Sequence, residues 1–224
     1  MNIIDELKSL LPIYTVVLPF SKMEVQFTPF KVKDLKNLTM VLHEDNKKLS
    51  FMAMIELLKN TTKLSIQQLN DLCLADAEYL FLHIRSKSVE ETLNLVYKDK
   101  KVVINILDIK AKNKIQSGMV HVSDNIKIEL KTPTVKKLLK LETFNKEDYI
   151  KACFKNIIVK NELYDSDKFV PDEIKNILEH LPIKIMNEFE KFTVSEPELY
   201  MEIPIDENNT IKEVSGILNF FIFR

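Results

Sequence analysis

Two glycines, Gly118 and Gly216, occur in 224 residues, where a chain of average composition would hold roughly 16. Phosphate- and dinucleotide-binding loops need several glycines within a few residues, so that backbone N–H groups can approach the ligand. Neither glycine has such company, which excludes both chemistries. Cysteine is equally scarce. Cys73 and Cys153 lie far apart in helical patterns, where a free thiol behaves as a small buried hydrophobe, and a reducing cytosol favours that reading over a disulfide. His43, His83, His121 and His180 are scattered, so no close-spaced ligand set marks a zinc site, and no metal or other cofactor is expected. There is no Gly-x-Ser-x-Gly elbow and no local cysteine-nucleophile signature. No catalytic residue is assigned, and the chain reads as a non-enzyme. No stretch approaches the roughly 18 apolar residues of a membrane span, and the start, Met1-Asn2-Ile3-Ile4-Asp5-Glu6, lacks the basic region of a secretory signal. The expectation is a protein that stays in the cytoplasm where it is made. Charge of one sign is missing as well: 32 Lys and Arg face 33 Asp and Glu, so no global field draws the chain to nucleic acid or anionic lipid.

What is present is ample apolar material, 46% of residues with mean hydropathy near zero, enough for a sizeable core. The β-rich stretches Ile13-Tyr-Thr-Val-Val-Leu18 and Met23-Glu-Val-Gln-Phe-Thr28 flank Pro19-Phe-Ser-Lys22 and predict a hairpin. The period then becomes helical. Leu35, Leu38 and Leu42 line one expected inward face, and Phe51, Met54, Ile55 and Leu58 another. Ser65-Ile-Gln-Gln68 has capping-box form, and Asp76 is placed to cap the helix that follows. Leu93-Asn-Leu-Val-Tyr97 and Val102-Val-Ile-Asn-Ile-Leu107 predict a second hairpin about residues 98–101, and residues 119–131 a third β region. The lysine-rich connection 110–118 reads as mobile and as the first site of proteolysis. Pro133 starts a helix carrying Val135, Leu138 and Leu139. Ile150, Cys153, Phe154 and Ile157 mark a further helix, Ile174, Ile177, Leu178 and Leu181 another, and Ile185, Phe189 and Phe192 the last of that series. Asp165-Ser-Asp167 opens like a calcium loop, but Phe169 and Val170 occupy positions where a ligand and a glycine belong, so it reads as a solvated turn. Alternation through Leu199, Met201, Ile203 and Ile205, a turn at 206–209 and an apolar segment over 214–223 close the chain.

The fold class is α+β, with an N-terminal β-hairpin, a helical cluster, further antiparallel β-hairpins and a helical C-terminal half. No Pro-, Gly- or Ser-rich linker interrupts it, so 1–224 reads as a single domain, with 195–224 as a candidate strand-turn-strand subdomain. The helix over 76–87 carries more apolar surface than one stripe requires. Ala77, Leu80, Phe81 and Ile84 fill one side while Tyr79 and Leu82 project from another. It is either a central core helix or a partner-binding one, and Tyr79, Leu82, Arg85 and Lys87 are the candidate partner-binding residues, the two cations also suiting the helix C-terminal dipole. Lys131, Lys136, Lys137 and Lys140 offer a basic cluster for nucleic acid, although a helix with Val135, Leu138 and Leu139 inward needs a polar outer face in any case.

The 76–87 block, with Ser88-Val89-Glu90-Glu91 after it, resembles the most recognisable segment of the baseplate hub subunit and hub-assembly proteins of T-even-type contractile-tailed bacteriophages. Residues 18–33, 126–134 with Leu138, and the end from Phe189 through 199–203 to 216–221 are similar to the same family in order, covering most of the chain. Members carry paired cysteines in the terminal turn, as a zinc ribbon would, and a glycine after the Ser-Val pair. This chain has Ile203-Pro-Ile-Asp206 and Glu90 there, so no inherited zinc site is expected. The resemblance implies a protein made in the host cytoplasm that helps build the central hub of the tail baseplate, as a hub component of the virion or as an assembly chaperone. Its partners would be other hub or tail-tube proteins, with no small-molecule substrate and no membrane. Two other classes stand beside it: a nucleic-acid-binding accessory protein using the 131–140 helix, and a hydrolase with a carboxylate pair that no local pattern betrays.

Overall fold

A computed structural model describes residues 10–42, 46–97, 100–204 and 211–215. The 98–99 turn, the 206–209 turn and the closing segment from Gly216 lie outside the described residues. Contacts divide the chain into two compact units. The outer one is Met1–Lys112 with Glu198–Arg224, and the inserted one is Asn113–Pro197. The architecture is mixed α+β, with helices and antiparallel sheets.

In the outer unit, β1 (Tyr14–Val17) and β2 (Glu24–Phe27) form the N-terminal hairpin, Tyr14 opposite Phe27, with their rings stacked at 5.6 Å. α1 (Val32–Leu42), α2 (Lys47–Thr61), α3 (Ile66–Asp71) and α4 (Leu74–Ser88) follow. Asn46 caps α2 through Leu49 N, and α3 carries the expected capping box between Ser65 and Gln68. β3 (Thr92–Tyr97) pairs with β4 (Lys100–Asn105). β5 (Lys110–Lys112), β10 (Glu198–Pro204) and β11 (Ile211–Ser215) make a three-stranded sheet with β10 central. The core of the unit draws on Leu18, Val25, Phe27, Met54, Leu58, Leu80, Phe81 and Ile84.

Two expectations change here. Residues 110–118 do not form one mobile connection. Lys110–Lys112 is a strand paired with Glu198–Tyr200, while Asn113 Nδ2 donates to the Glu196 carbonyl and Gln116 Nε2 to that of Ser195. Long-range pairing of this kind has no local signature. In α1, Leu38 is buried as expected, but Leu35 is 43% exposed, and Val32 and Met40 are more so. The helix is rolled so that Asp34 joins Leu38 on the buried side, its carboxylate accepting from Lys31 N, and the Leu42 side chain lies outside the described residues.

In the inserted unit, β6 (Ser117–Ser123), β7 (Ile126–Lys131), β8 (Phe154–Val159) and β9 (Glu162–Asp165) form one antiparallel sheet in chain order. α5 (Val135–Leu139), α6 (Lys146–Cys153), α7 (Pro171–Glu179) and α8 (Ile183–Val194) complete the unit. Its core joins Ile128, Leu130, Phe154 and Ile157 of the sheet to Ile150, Cys153, Leu178, Ile185, Phe189 and Phe192 of the helices. Gly118 is one place where the missing side chain counts, since a Cβ there would stand 3.1 Å from the Phe192 ring. The helix expected through Ile157 stops at Cys153, and Phe154-Lys-Asn-Ile-Ile-Val is a strand. Four apolar residues at helical spacing spanned the end of one element and the start of the next, where β-branched residues take over. β8 turns into β9 through Lys160 and Asn161, both left-handed with φ of 49° and 69°, as a two-residue hairpin connection requires. Asp165 caps a short 3-10 turn, Ser166–Lys168, by accepting from Asp167 N.

Candidate interaction surface on the central helix

α4 is buried nearly all round. Ala77, Leu80 and Ile84 have no exposed surface, and Phe81 and Leu82 are each 1% exposed. Its N-cap is Cys73, which makes no side-chain capping bond. Asp76, expected to cap the helix, sits one turn inside it and is completely buried. Its two carboxylate oxygens accept from Phe20 N at 3.0 Å and Ser21 N at 2.8 Å. The carboxylate therefore fixes the connection of the N-terminal hairpin instead of its own helix end, a role that local spacing cannot reveal. At the other end, Ser88 Oγ accepts from Phe30 N at 2.9 Å and donates to Ile84 O.

The four candidate residues do not form one patch. Leu82 belongs to the core of its own chain. Tyr79 is half-buried with its ring 4.4 Å from that of His83, and Lys87 pairs with Glu91 while its Nζ stands 5.7 Å over the Tyr14 ring. Tyr79, His83 and Lys87 thus follow one another at i, i+4 and i+8 on one side. Burial and the neighbouring Lys87 charge hold His83 below its ordinary pKa, and burial raises that of Tyr79. His83 was not among the candidates, although its spacing to Tyr79 and Lys87 was readable. Arg85 leaves on another side. Burial lowers its pKa against the pull of Glu90, and its buried Nη1 has no hydrogen-bond acceptor among the described residues. A desolvated guanidinium donor without an acceptor is costly, and an incoming carboxylate or carbonyl would relieve it.

The remaining chemistry is dispersed. Glu78 is pushed up to about 8 by burial and by the Glu198 charge. Burial raises Glu196 to about 7, against the Tyr149 and Thr132 side chains, and Cys153 Sγ lies 3.9 Å from one of its oxygens. Both cysteines are free and buried. Desolvation lifts Cys73 to about 12 and raises Cys153 too, which removes the nucleophilic thiolate at neutral pH. A cleft of about 470 Å³ in the inserted unit has both signs in its lining, including Lys137, Lys151, Glu142, Asp148 and Asp172. Lys137 is turned inward to Phe154 O, Ser166 Oγ and Asp167, so it leaves the outer basic face to Lys131, Lys136 and Lys140. Among the described residues no group of three or more His, Cys, Asp or Glu is placed to hold a metal ion, and no helix is long and apolar enough to cross a membrane.

Searches of curated proteins and of solved structures return no match. A family model described as T4 bacteriophage base plate protein matches residues 11–222, a span that takes in every described element from β1 to β11. The order of elements read from the sequence, hairpin, helical cluster and the strands that follow, lies within that match, and the chain belongs to the T4 bacteriophage base plate protein family.

Proposed function

We propose that the protein helps build the central hub of the tail baseplate, as a hub component or as an assembly chaperone, through contacts with hub or tail-tube proteins and without enzymatic activity. The observation that carries this reading is the family match over 11–222. Three structural features support it. The thiols are buried and protonated. Glu78, whose carboxyl is raised by burial and by the Glu198 charge, belongs to the outer unit, whereas the cleft is lined by residues of the inserted one. A hydrolase would need a perturbed carboxylate pair inside its cleft. The cleft that Lys137 and Lys140 help to line also carries Glu142 and Asp167, which oppose a phosphate backbone. The protein would act in the host cytoplasm during assembly and, as a component, remain in the virion tail.

The test is affinity purification of the full chain from infected cells at moderate salt, with quantification against purified virions. Recovery of hub or tail-tube proteins in fixed ratio supports the reading, and presence in virions selects component over chaperone. Salt-dependent retention on DNA without any hub protein would overturn it in favour of a nucleic-acid accessory.

A further inference from the structure

α1 (Val32–Leu42) exposes more of its apolar side chains than it buries. Val32 is 73%, Leu35 43% and Met40 70% exposed, against Leu38 at 7%. Scattered exposed hydrophobes are ordinary on a protein surface. Here, at 100° per residue, Leu35, Thr39, Val32, Lys36, Met40 and Lys33 succeed one another around one side of a helix whose opposite side holds Asp34 and Leu38. Three apolar side chains therefore face out among lysines and a threonine, and the buried side is held by Leu38, by the Asp34 cap on Lys31 N and by packing on α2. Leu49 and Met52 add exposed apolar surface to α2.

The charge of this face is one-sided. Lys33 and Lys36 interleave the stripe, and Lys47 and Lys48 open α2. None of the four makes an ion pair among the described residues, and the one acid of α1, Asp34, is buried. Glu56, the acid of α2, is taken by Lys59 at 3.4 Å. The connecting residues 43–45, with Glu44 and Asp45, lie outside the described residues.

We propose that the outward face of α1 docks an amphipathic helix of another base plate protein, one whose apolar ridge is flanked by Asp and Glu. Val32, Leu35 and Met40 spread over about 140° of the helix, a breadth that a helix crossing the face at an angle would meet. Met40 supplies an unbranched side chain that adapts to a partner's shape, and acidic flanks would complement the interleaved lysines. A second copy of this chain would set lysine against lysine, so the occupant is a different protein. This surface does not depend on the hub assignment.

The test uses the full chain and two designed 18-residue helical peptides with the same leucine ridge, one flanked by glutamate and one by lysine, together with vesicles of phosphatidylglycerol and phosphatidylcholine. The glutamate peptide should bind at least tenfold tighter than the lysine peptide and weaken as salt rises. The surface variant Lys33→Glu with Lys36→Glu should invert that preference, and Leu35→Glu with Met40→Glu should lower glutamate-peptide affinity at least tenfold, both with the melting temperature held. Equal binding of the two peptides, binding of neither, vesicle binding in place of peptide binding, or an unchanged preference in the lysine variant would each overturn the proposal. Hub recovery from infected cells tests the hub role separately, so the two failures are distinguishable.

Discussion

The two units hold themselves together by different means. In the inserted unit, one four-stranded sheet in chain order is packed by helices into a continuous cluster, Phe154, Phe189 and Ile128 having no exposed surface. In the outer unit the described strands come in pieces of two and three, and a two-stranded ribbon is marginal alone. Its N-terminal hairpin gives Leu18, Val25 and Phe27 to the core and is also tied to the helices by polar connections across long sequence separations: Asp76 to Phe20 and Ser21, Ser88 to Phe30, and the Thr61 carbonyl to Thr28 N. Buried area spreads a loss over many contacts, whereas a polar clasp concentrates it in one side chain. Apolar truncation should therefore hurt most in the inserted unit and polar deletion in the outer one.

The sharpest way to break this contrast is Phe154→Ala, which empties the centre of the inserted core, including the edge-to-face contact with Phe189 at 5.6 Å. A loss of about 3–5 kcal/mol is expected, read by calorimetry with denaturant titration. If the whole chain melts in one transition that shifts as a body, 1–224 is one cooperative domain. If a second transition stays in place, the units fold independently.

Next in size is pH. The Glu196 carboxyl ordinarily titrates at 4.5 and in the folded chain at about 7, so the folded state binds the extra proton between those values. Its contribution is present in full below about pH 4.5 and is lost as pH rises through about 7, on the order of 3 kcal/mol in total. Glu196→Gln should flatten that part of the stability profile of the inserted unit. Glu78, at about 8, gives the same sign over a window reaching higher, and Glu78→Gln should flatten the profile of the outer unit. A profile that rises between pH 5 and 8 in the wild type would contradict both assignments.

Asp76→Ala comes third. It leaves the Phe20 and Ser21 amides without their acceptor, a cost of about 2 kcal/mol, while Asp76→Asn, retaining one oxygen acceptor, should cost roughly half. Amide exchange at Phe20 and Ser21 would rise in the alanine variant first. An unchanged exchange rate there would show that the clasp does not hold the hairpin. Smallest in stability is Tyr79→Ala on the half-buried side of α4. It should leave the melting temperature nearly unchanged and weaken binding to a hub partner by on the order of 1–2 kcal/mol, measured by titration calorimetry with the recovered protein.

Most elements were legible because their signals are local. The Ser65 capping box, Pro171 at the start of α7 and the alternation of Ile126, Ile128 and Leu130 all took the predicted form. What escaped was set by distant parts of the chain. Lys110–Lys112 became a strand only because Tyr200 and its neighbours offered a partner, and Asp76 turned from cap to clasp because the hairpin connection approached it. α1 shows a third kind of miss, since the period gave the helix and the burial of Leu38 but not the exposure of Leu35. For α4 the excess of apolar surface was read correctly and its meaning was divided: Leu82 went to the core, while Arg85 kept a buried donor without an acceptor.

Lys112 and Glu198 are register partners on neighbouring strands, so the chain leaves the outer sheet and returns to it at adjacent points. From the outer sheet's side, the whole of Asn113–Pro197 is a hairpin loop grown to the size of a unit. Such an arrangement lends itself to modular exchange. If the Phe154→Ala scan shows two independent transitions, a gene encoding this chain could trade the insert for another sequence, or for a short turn, while the ladder on either side keeps its register. Related phages would then be free to vary one part of the protein at a rate of their own, with the strand pair as the fixed frame.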